Sequence, residues 1–191
     1  MKPSDVPMIG FAAWSGTGKT TLLKKLLPLL RKRGLRVGVV KHAHHDFDID
    51  VPGKDSYELR KAGATHVLVG SRKRWALVVE AGLEEDPSLA TLLSHLATDD
   101  IDLILVEGLK RERIPKIELH RPSLGKPLLC RSDANIVAVA TDSPVSTPRP
   151  LPLLDLNNPQ QIAEFILGTL NFKKASSETK YPLALDGRGR G

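Results

Sequence analysis

A single cysteine, Cys130, stands in 191 residues, which excludes an internal disulfide and fits a reducing compartment. No His partner for a nucleophilic thiol is evident, so Cys130 reads as a small apolar side chain. Aromatic residues make up only 4% of the chain, and few are interleaved with its basic clusters. The net charge of +6 therefore gives little support for nucleic-acid binding by base stacking. Five cations against two acids lie beyond Asn171, so half of that excess belongs to the last residues. No apolar run approaches the roughly 20 residues needed to span a membrane. The segment Met1–Pro7 is too short and polar for a signal peptide, and a cytoplasmic protein is expected. There is no internal repeat. The guanine-reading Asn-Lys-x-Asp element of many GTPases is also missing.

An octet, Ala13-Trp14-Ser15-Gly16-Thr17-Gly18-Lys19-Thr20, has the form of a Walker A phosphate-binding loop, with Thr21 following. An apolar run, Met8 to Ala13, precedes it as a strand, and a helix is expected from Thr20 onward. Gly16 and Gly18 allow the backbone to curl so that its N–H groups face an anion, beside the positive end of the helix. Lys19 is placed to reach β- and γ-phosphates, and the Thr20 hydroxyl to complete a Mg²⁺ shell. The bland reading is a Gly-rich turn, with Ala rather than Gly at its first position. The order strand, loop, helix favours nucleoside triphosphate binding.

Downstream, Leu22, Leu23, Leu26, Leu27 and Leu30 recur at helical spacing, with Pro28 expected to kink that helix and Gly34 to end it. Leu35 to Lys41 reads as a buried strand. A polar loop, His42 to Lys54, precedes a helix from Asp55 to Ala62, capped by Asp55 or Ser56. Thr65–Gly70 and Trp75–Glu80 read as two strands joined by the basic turn Arg72-Lys73-Arg74. A helix over Pro87–Ala97 and a central strand over Ile101–Val106 follow. Pro115–His120 alternates like a half-exposed or edge strand. Ile136–Ala140 reads as the last buried strand, Ser143–Pro152 as an extended connector, and Gln160–Leu170 as a closing helix. The expected fold is a three-layer α/β, P-loop NTPase-like one, its central sheet mostly parallel with an antiparallel extension. Residues 1–172 form the nucleotide-binding domain in this reading, and 173–191 a basic, disordered tail.

Glu107 ends an apolar strand, where a phosphate loop usually finds the acid that holds Mg²⁺ or its water shell. Lys19 and Glu107 are thus the candidate catalytic pair, and Thr20, Glu107 and Asp46 the candidate metal ligands. Lys110-Arg111-Glu112-Arg113 could face phosphate or an acidic partner, but reads more simply as a solvated turn. The run from Lys41 to Asp50 carries three histidines (His42, His44, His45) and three aspartates (Asp46, Asp48, Asp50). Three readings stay open: a transition-metal site, a mobile switch loop in which an Asp approaches Mg²⁺ and the histidines, His42 among them, position phosphate or water, or a solvated loop. Asp142 follows a strand where a base-contacting loop would lie. It could accept from guanine N1 and N2, or form a turn before Ser143-Pro144.

The blocks AWSGTGKTTL (13–22), VGVVKHAHHDFDIDVPGKDSYELRKAGA (37–64) and DLILVEGLK (102–110) together resemble the MobB family of molybdopterin-guanine dinucleotide biosynthesis adaptors. The resemblance spans roughly residues 8 to 171, and the middle block is more specific than the phosphate loop. It implies a cytoplasmic, GTP-binding homodimer with weak GTPase activity in molybdenum cofactor biosynthesis. The implied partners are the guanylyltransferase that attaches GMP to molybdopterin, and molybdopterin or its precursor complex. By carry-over, Gly16, Gly18, Lys19 and Thr20 bind phosphates and Mg²⁺, Glu107 is the strand-end acid, and Lys41–Asp48 is the loop beside the nucleotide. The alternatives are a small-molecule kinase and a metallochaperone-like GTPase. The resemblance does not explain the basic tail.

Overall fold

The computed structural model of the chain describes residues 6–43, 47–83 and 85–170. In chain order the elements are β1 (Met8–Ala13), α1 (Lys19–Lys32), β2 (Val37–Lys41), α2 (Asp55–Lys61), β3 (His66–Gly70), β4 (Trp75–Val79) and α3 (Leu89–Ser94). They continue with β5 (Leu103–Glu107), β6 (Lys116–His120), β7 (Ile136–Thr141), β8 (Leu153–Asp155) and α4 (Pro159–Thr169). Short 3-10 turns at Pro122–Leu124 and Leu129–Arg131 separate β6 from β7. Among the described residues two compact units result: one from residues 6–42 and 88–170, the other from the stretch between them. The expected basic tail, 173–191, lies outside the described residues.

The larger unit is a six-stranded sheet in the order β2-β5-β1-β6-β7-β8, parallel throughout. Alternate side chains of each strand feed different layers. Ile9, Phe11, Leu105, Ile117 and Ala140 join α1 and α4 in one core, whereas Ile104 and Val106 join α3 in another. This double coverage is why β1 and β5 read as continuous apolar runs rather than alternating ones. Leu22, Leu23, Leu26 and Leu30 of α1 are all buried, each worth about 1.5–3 kcal/mol relative to exposure. The expected kink does not divide α1, which runs through Pro28. The carbonyl deprived of its partner belongs to Lys24, which faces solvent where water can serve it. Gly34, at φ +84°, turns the chain out of the helix.

Three expectations are corrected. β2 is an edge strand with alternating burial, because β5 alone flanks it. β6 is neither exposed nor at an edge: it lies between β1 and β7 and is buried along its length. Its polar side chains carry internal partners. The Lys116 ammonium donates to the carbonyls of Lys110 (3.1 Å) and Glu112 (2.6 Å) and to the Asp133 carboxylate (2.7 Å). Glu118 accepts the N–H groups of Leu129 and Cys130 at 2.6 and 2.8 Å. Gly10 makes room for this: a Cβ there would stand 2.7 Å from Lys116 Cγ. Finally, β7 is not the last strand. β8, directly after the Ser143–Pro152 connector, pairs with it in parallel.

The smaller unit holds α2 and the antiparallel hairpin β3-β4, joined across Ser71–Arg74 as the basic turn predicts. Lys54, not Asp55 or Ser56, is the N-cap of α2, with no side-chain cap bond. Ser56 instead donates to Asp50 Oδ1 at 2.9 Å.

Candidate functional site at the carboxyl edge of the parallel sheet

The order of the central strands leaves β1 flanked by β5 on one side and β6 on the other. Chain connections therefore diverge at its carboxyl end, where open α/β sheets form their binding crevices. The turn after β1 begins with the sequence Trp14-Ser15-Gly16-Thr17-Gly18. Gly16 and Gly18 have φ of +80° and +99°, a region costly for side-chain-bearing residues. Gly18 is also the N-cap of α1, and its carbonyl accepts the first helical bond from Leu22 at 2.9 Å. Thr17 is buried, its hydroxyl and N–H both turned back to the Trp14 carbonyl at 2.8 and 3.4 Å. Ser15, Gly16, Gly18, Lys19, Thr20, Thr21 and Glu107 line a cleft of about 360 Å³.

Within that cleft the Lys19 ammonium lies 3.5 Å from the Ala13 carbonyl. Partial burial lowers its pKa, Glu107 opposes that, and Lys110 and Lys41 add to it. A half-buried cation with two further cations nearby favours an anionic neighbour. Glu107, only 8% exposed, sits in register beside Phe11 of β1 and Lys41 of β2. The next residue, Gly108, has φ +98°, and a Cβ there would stand 2.9 Å from the His42 carbonyl. This close approach brings His42 to the end of β5, where its N–H donates to the Glu107 carbonyl at 2.9 Å. His42 is buried.

The loop's flank is held by residues from other strands. Trp14 Nε1 donates to the Pro127 carbonyl at 2.8 Å, and the ammonium groups of Lys110 and Lys126 lie 5.1 and 5.9 Å from its ring centroid. Lys110 is therefore not merely part of a solvated turn. Arg121, directly after β6, donates through Nε to the Thr17 carbonyl at 3.0 Å and pairs through Nη1 with Asp142 after β7. Local sequence pattern does not single out Arg121. Its signal is a cation at the end of a strand, which becomes informative once β6 is known to neighbour β1.

A sequence profile of molybdopterin guanine dinucleotide synthesis protein B, MobB, matches residues 8–142. The chain is 52% identical over 163 residues to the molybdopterin-guanine dinucleotide biosynthesis adapter protein of Escherichia coli (strain K12), covering 85% of this chain and 92% of that one. It belongs to the MobB family. The protein of the same name from Haemophilus influenzae is 44% identical over 163 residues, covering 85% and 89%. A crystal structure of molybdopterin-guanine biosynthesis protein B superposes with a TM-score of 0.67 at 28% identity, over 85% of this chain and 99% of that one. The MobB match thus agrees with the resemblance read from the three sequence blocks, and the fold with the P-loop NTPase-like expectation.

The loop characteristic of this MobB chain is in part described. His44, His45 and Asp46, with the roles expected of those three, lie outside the described residues, whereas His42 is described at the end of β5. Asp48 and Asp50 belong to the smaller unit, where Arg60 gathers them. Arg60 Nη2 donates to both Asp48 oxygens at 2.8 and 2.6 Å, and Nη1 to Glu80 at 2.7 Å. Asp50 Oδ2 is 3.9 Å from Nε, and the Tyr57 ring stacks on the guanidinium with its centroid 5.2 Å away. The Arg60 bonds hold the Asp48 carboxyl below its ordinary pKa. Among the described residues, no cluster of three His, Cys, Asp or Glu side chains could hold a metal ion. Nor is any described helix long and apolar enough to cross a membrane.

Proposed function

We propose that this MobB-family chain is a cytoplasmic GTP-binding adaptor in the synthesis of molybdopterin guanine dinucleotide. The cleft between the Gly16–Thr21 turn and Glu107, at the carboxyl end of β1, is the observation that carries the reading. A triphosphate lies along Ser15–Thr21, with Lys19 on its β- and γ-phosphates and the helix N-terminus behind it. The Thr20 hydroxyl and Glu107 carboxylate are hard oxygen donors that suit Mg²⁺. Held by these two residues, the metal would supply charge that neutralises the phosphates. Asp142 accepts from the guanine edge. Weak GTP hydrolysis, with Lys19 and Glu107 as the residues that support it, is part of this reading. The working partners are the guanylyltransferase and its molybdopterin substrate, and a second copy of the chain completes a homodimer.

Calorimetric titration of the full chain with GTP and Mg²⁺, then with the guanylyltransferase, tests this reading. GTP binding that is lost in Lys19→Ala, together with binding to the partner, is the expected outcome. Unchanged GTP affinity in Lys19→Ala overturns the site, and absence of partner binding overturns the adaptor role.

A further inference from the structure

We infer that Arg121 is a positioning residue that couples recognition of the guanine base to the phosphate loop; the inference rests on the GTP reading above. Because β1, β6 and β7 are consecutive in the sheet, the segments leaving their carboxyl ends lie side by side. Arg121 is the first residue after β6, between the other two. Its guanidinium makes one bond to each neighbour: Nε to the Thr17 carbonyl at 3.0 Å, and Nη1 to Asp142 Oδ2. It also packs on the start of α1, where a Cβ on Gly18 would meet Nη2 at 3.9 Å.

Both ends of this link are stiff. Thr17 is 1% exposed and anchored to the Trp14 carbonyl, so Arg121 grips a fixed peptide of the loop. On the other side, Thr141 Oγ1 bonds the Ser143 carbonyl at 2.8 Å, bracketing Asp142 in a tight turn. A guanidinium holds its donors in a rigid planar fork, so fixing Nε on Thr17 also fixes where Nη1 presents itself to Asp142. A lysine ammonium could reach one of these acceptors but could not impose that geometry.

The chemistry of Asp142 gives the link its purpose. An ionised carboxylate offers about four acceptor sites, and the Arg121 contact uses Oδ2. The pair is partly exposed, at 32% for the Arg121 side chain and 21% for Asp142, so the remaining acceptor capacity is reachable. Guanine presents two adjacent donors, N1–H and the 2-amino group, that match a carboxylate. Adenine presents an acceptor at N1 and no 2-amino group, so it meets lone-pair repulsion instead. Arg121 thus sets the carboxylate at one distance from the phosphate loop, and that distance selects a guanine nucleotide whose phosphates already occupy the loop.

Dissociation constants of the full chain for GTP, ITP, ATP and inorganic tripolyphosphate, all with Mg²⁺, test the link. ITP lacks the 2-amino group, and tripolyphosphate reports the phosphate loop alone. The wild-type chain is expected to prefer GTP over ITP and ITP over ATP. Arg121→Lys should reduce the GTP-to-ATP preference by about tenfold or more, the order of one bidentate hydrogen-bonded pair. ATP and tripolyphosphate should weaken together by a smaller common factor, which also reports that the variant is folded. Asp142→Asn should reproduce the lost preference, and the double variant should add nothing further. A GTP-to-ATP ratio that survives both Arg121→Lys and Arg121→Gln overturns the inference alone, as does equal weakening of all four ligands. A wild-type chain that binds GTP and ATP equally overturns guanine selection as well. One that binds none of the four overturns the nucleotide reading itself.

Discussion

Lys19 sits among groups that would favour an anionic ligand. Burial together with Lys110 and Lys41 outweighs Glu107 and lowers its pKa. A triphosphate reverses that balance, so binding raises the pKa and takes up a proton wherever the free lysine has begun to deprotonate. Affinity should therefore be flat at lower pH and fall as pH rises through the lowered value. That fall should begin below the ordinary lysine value of about 10.4. Calorimetry with tripolyphosphate in buffers of different ionisation enthalpy should give proton uptake on the alkaline side, absent in Lys19→Arg. Equal proton uptake in the two proteins would remove Lys19 as its source. The positions of Lys19, Gly16 and Glu107 were legible in the sequence because each is set by its own local backbone: a helix start, a turn, a strand end. Arg121 was not, because its role depends on which strand lies beside β1, and spacing along the chain carries no such information.

The same limit holds for whole elements. β1, β5 and both main helices were readable because their apolar pattern reports directly on what covers them. β6 misled because Lys116, Glu118 and His120 alternate with Ile117 and Leu119, the pattern of a half-exposed strand. Here the polar positions are buried against carbonyls, amides and Asp133. β8 is only three residues long and follows a proline-rich stretch, too short for periodicity to register. At the opposite end of the sheet, a polar pair fastens an edge element. Asp102, just before β5, accepts from Arg36 N and Nε at 2.8 and 3.1 Å and from Nη2 at 2.8 Å, tying in the start of β2. Those bonds hold the Asp102 carboxyl below its ordinary pKa, against the opposing effect of burial. A carboxyl depressed in the folded state stabilises fully above its unfolded value of about 3.9 and loses that contribution as pH falls through the folded value. Asp102→Asn should cost about 1–2 kcal/mol near neutral pH in denaturant melts, as expected for charge-assisted bonds. The gap to wild type should close below about pH 4. A gap that persists through the acid limb would mean that the carboxylate charge contributes nothing.

At the scale of the molecule, the smaller unit leaves one face of its hairpin uncovered among the described residues. A two-stranded hairpin is at best marginally stable in water unless something covers one of its faces. In β3-β4, Leu68 pairs directly with Leu77 and Gly70 with Trp75, so Leu68, Leu77 and Trp75 share one face. That face is open: Leu68 is 67% exposed, Trp75 66% and Leu77 45%. Contiguous apolar surface of this kind marks an interaction site more often than a free surface. A second copy of the chain is the occupant proposed here, consistent with a homodimer, since a symmetric contact requires only that the patch complement itself. Leu68 and Leu77 lie at the centre of the face, so replacing both with Glu should be more damaging than altering the basic turn at its end. Sedimentation of the wild-type chain at micromolar concentration should give a dimer, and Leu68→Glu/Leu77→Glu a monomer that still binds tripolyphosphate through the larger unit. A monomeric wild-type chain, or a double variant that stays dimeric, would assign that face to a different occupant.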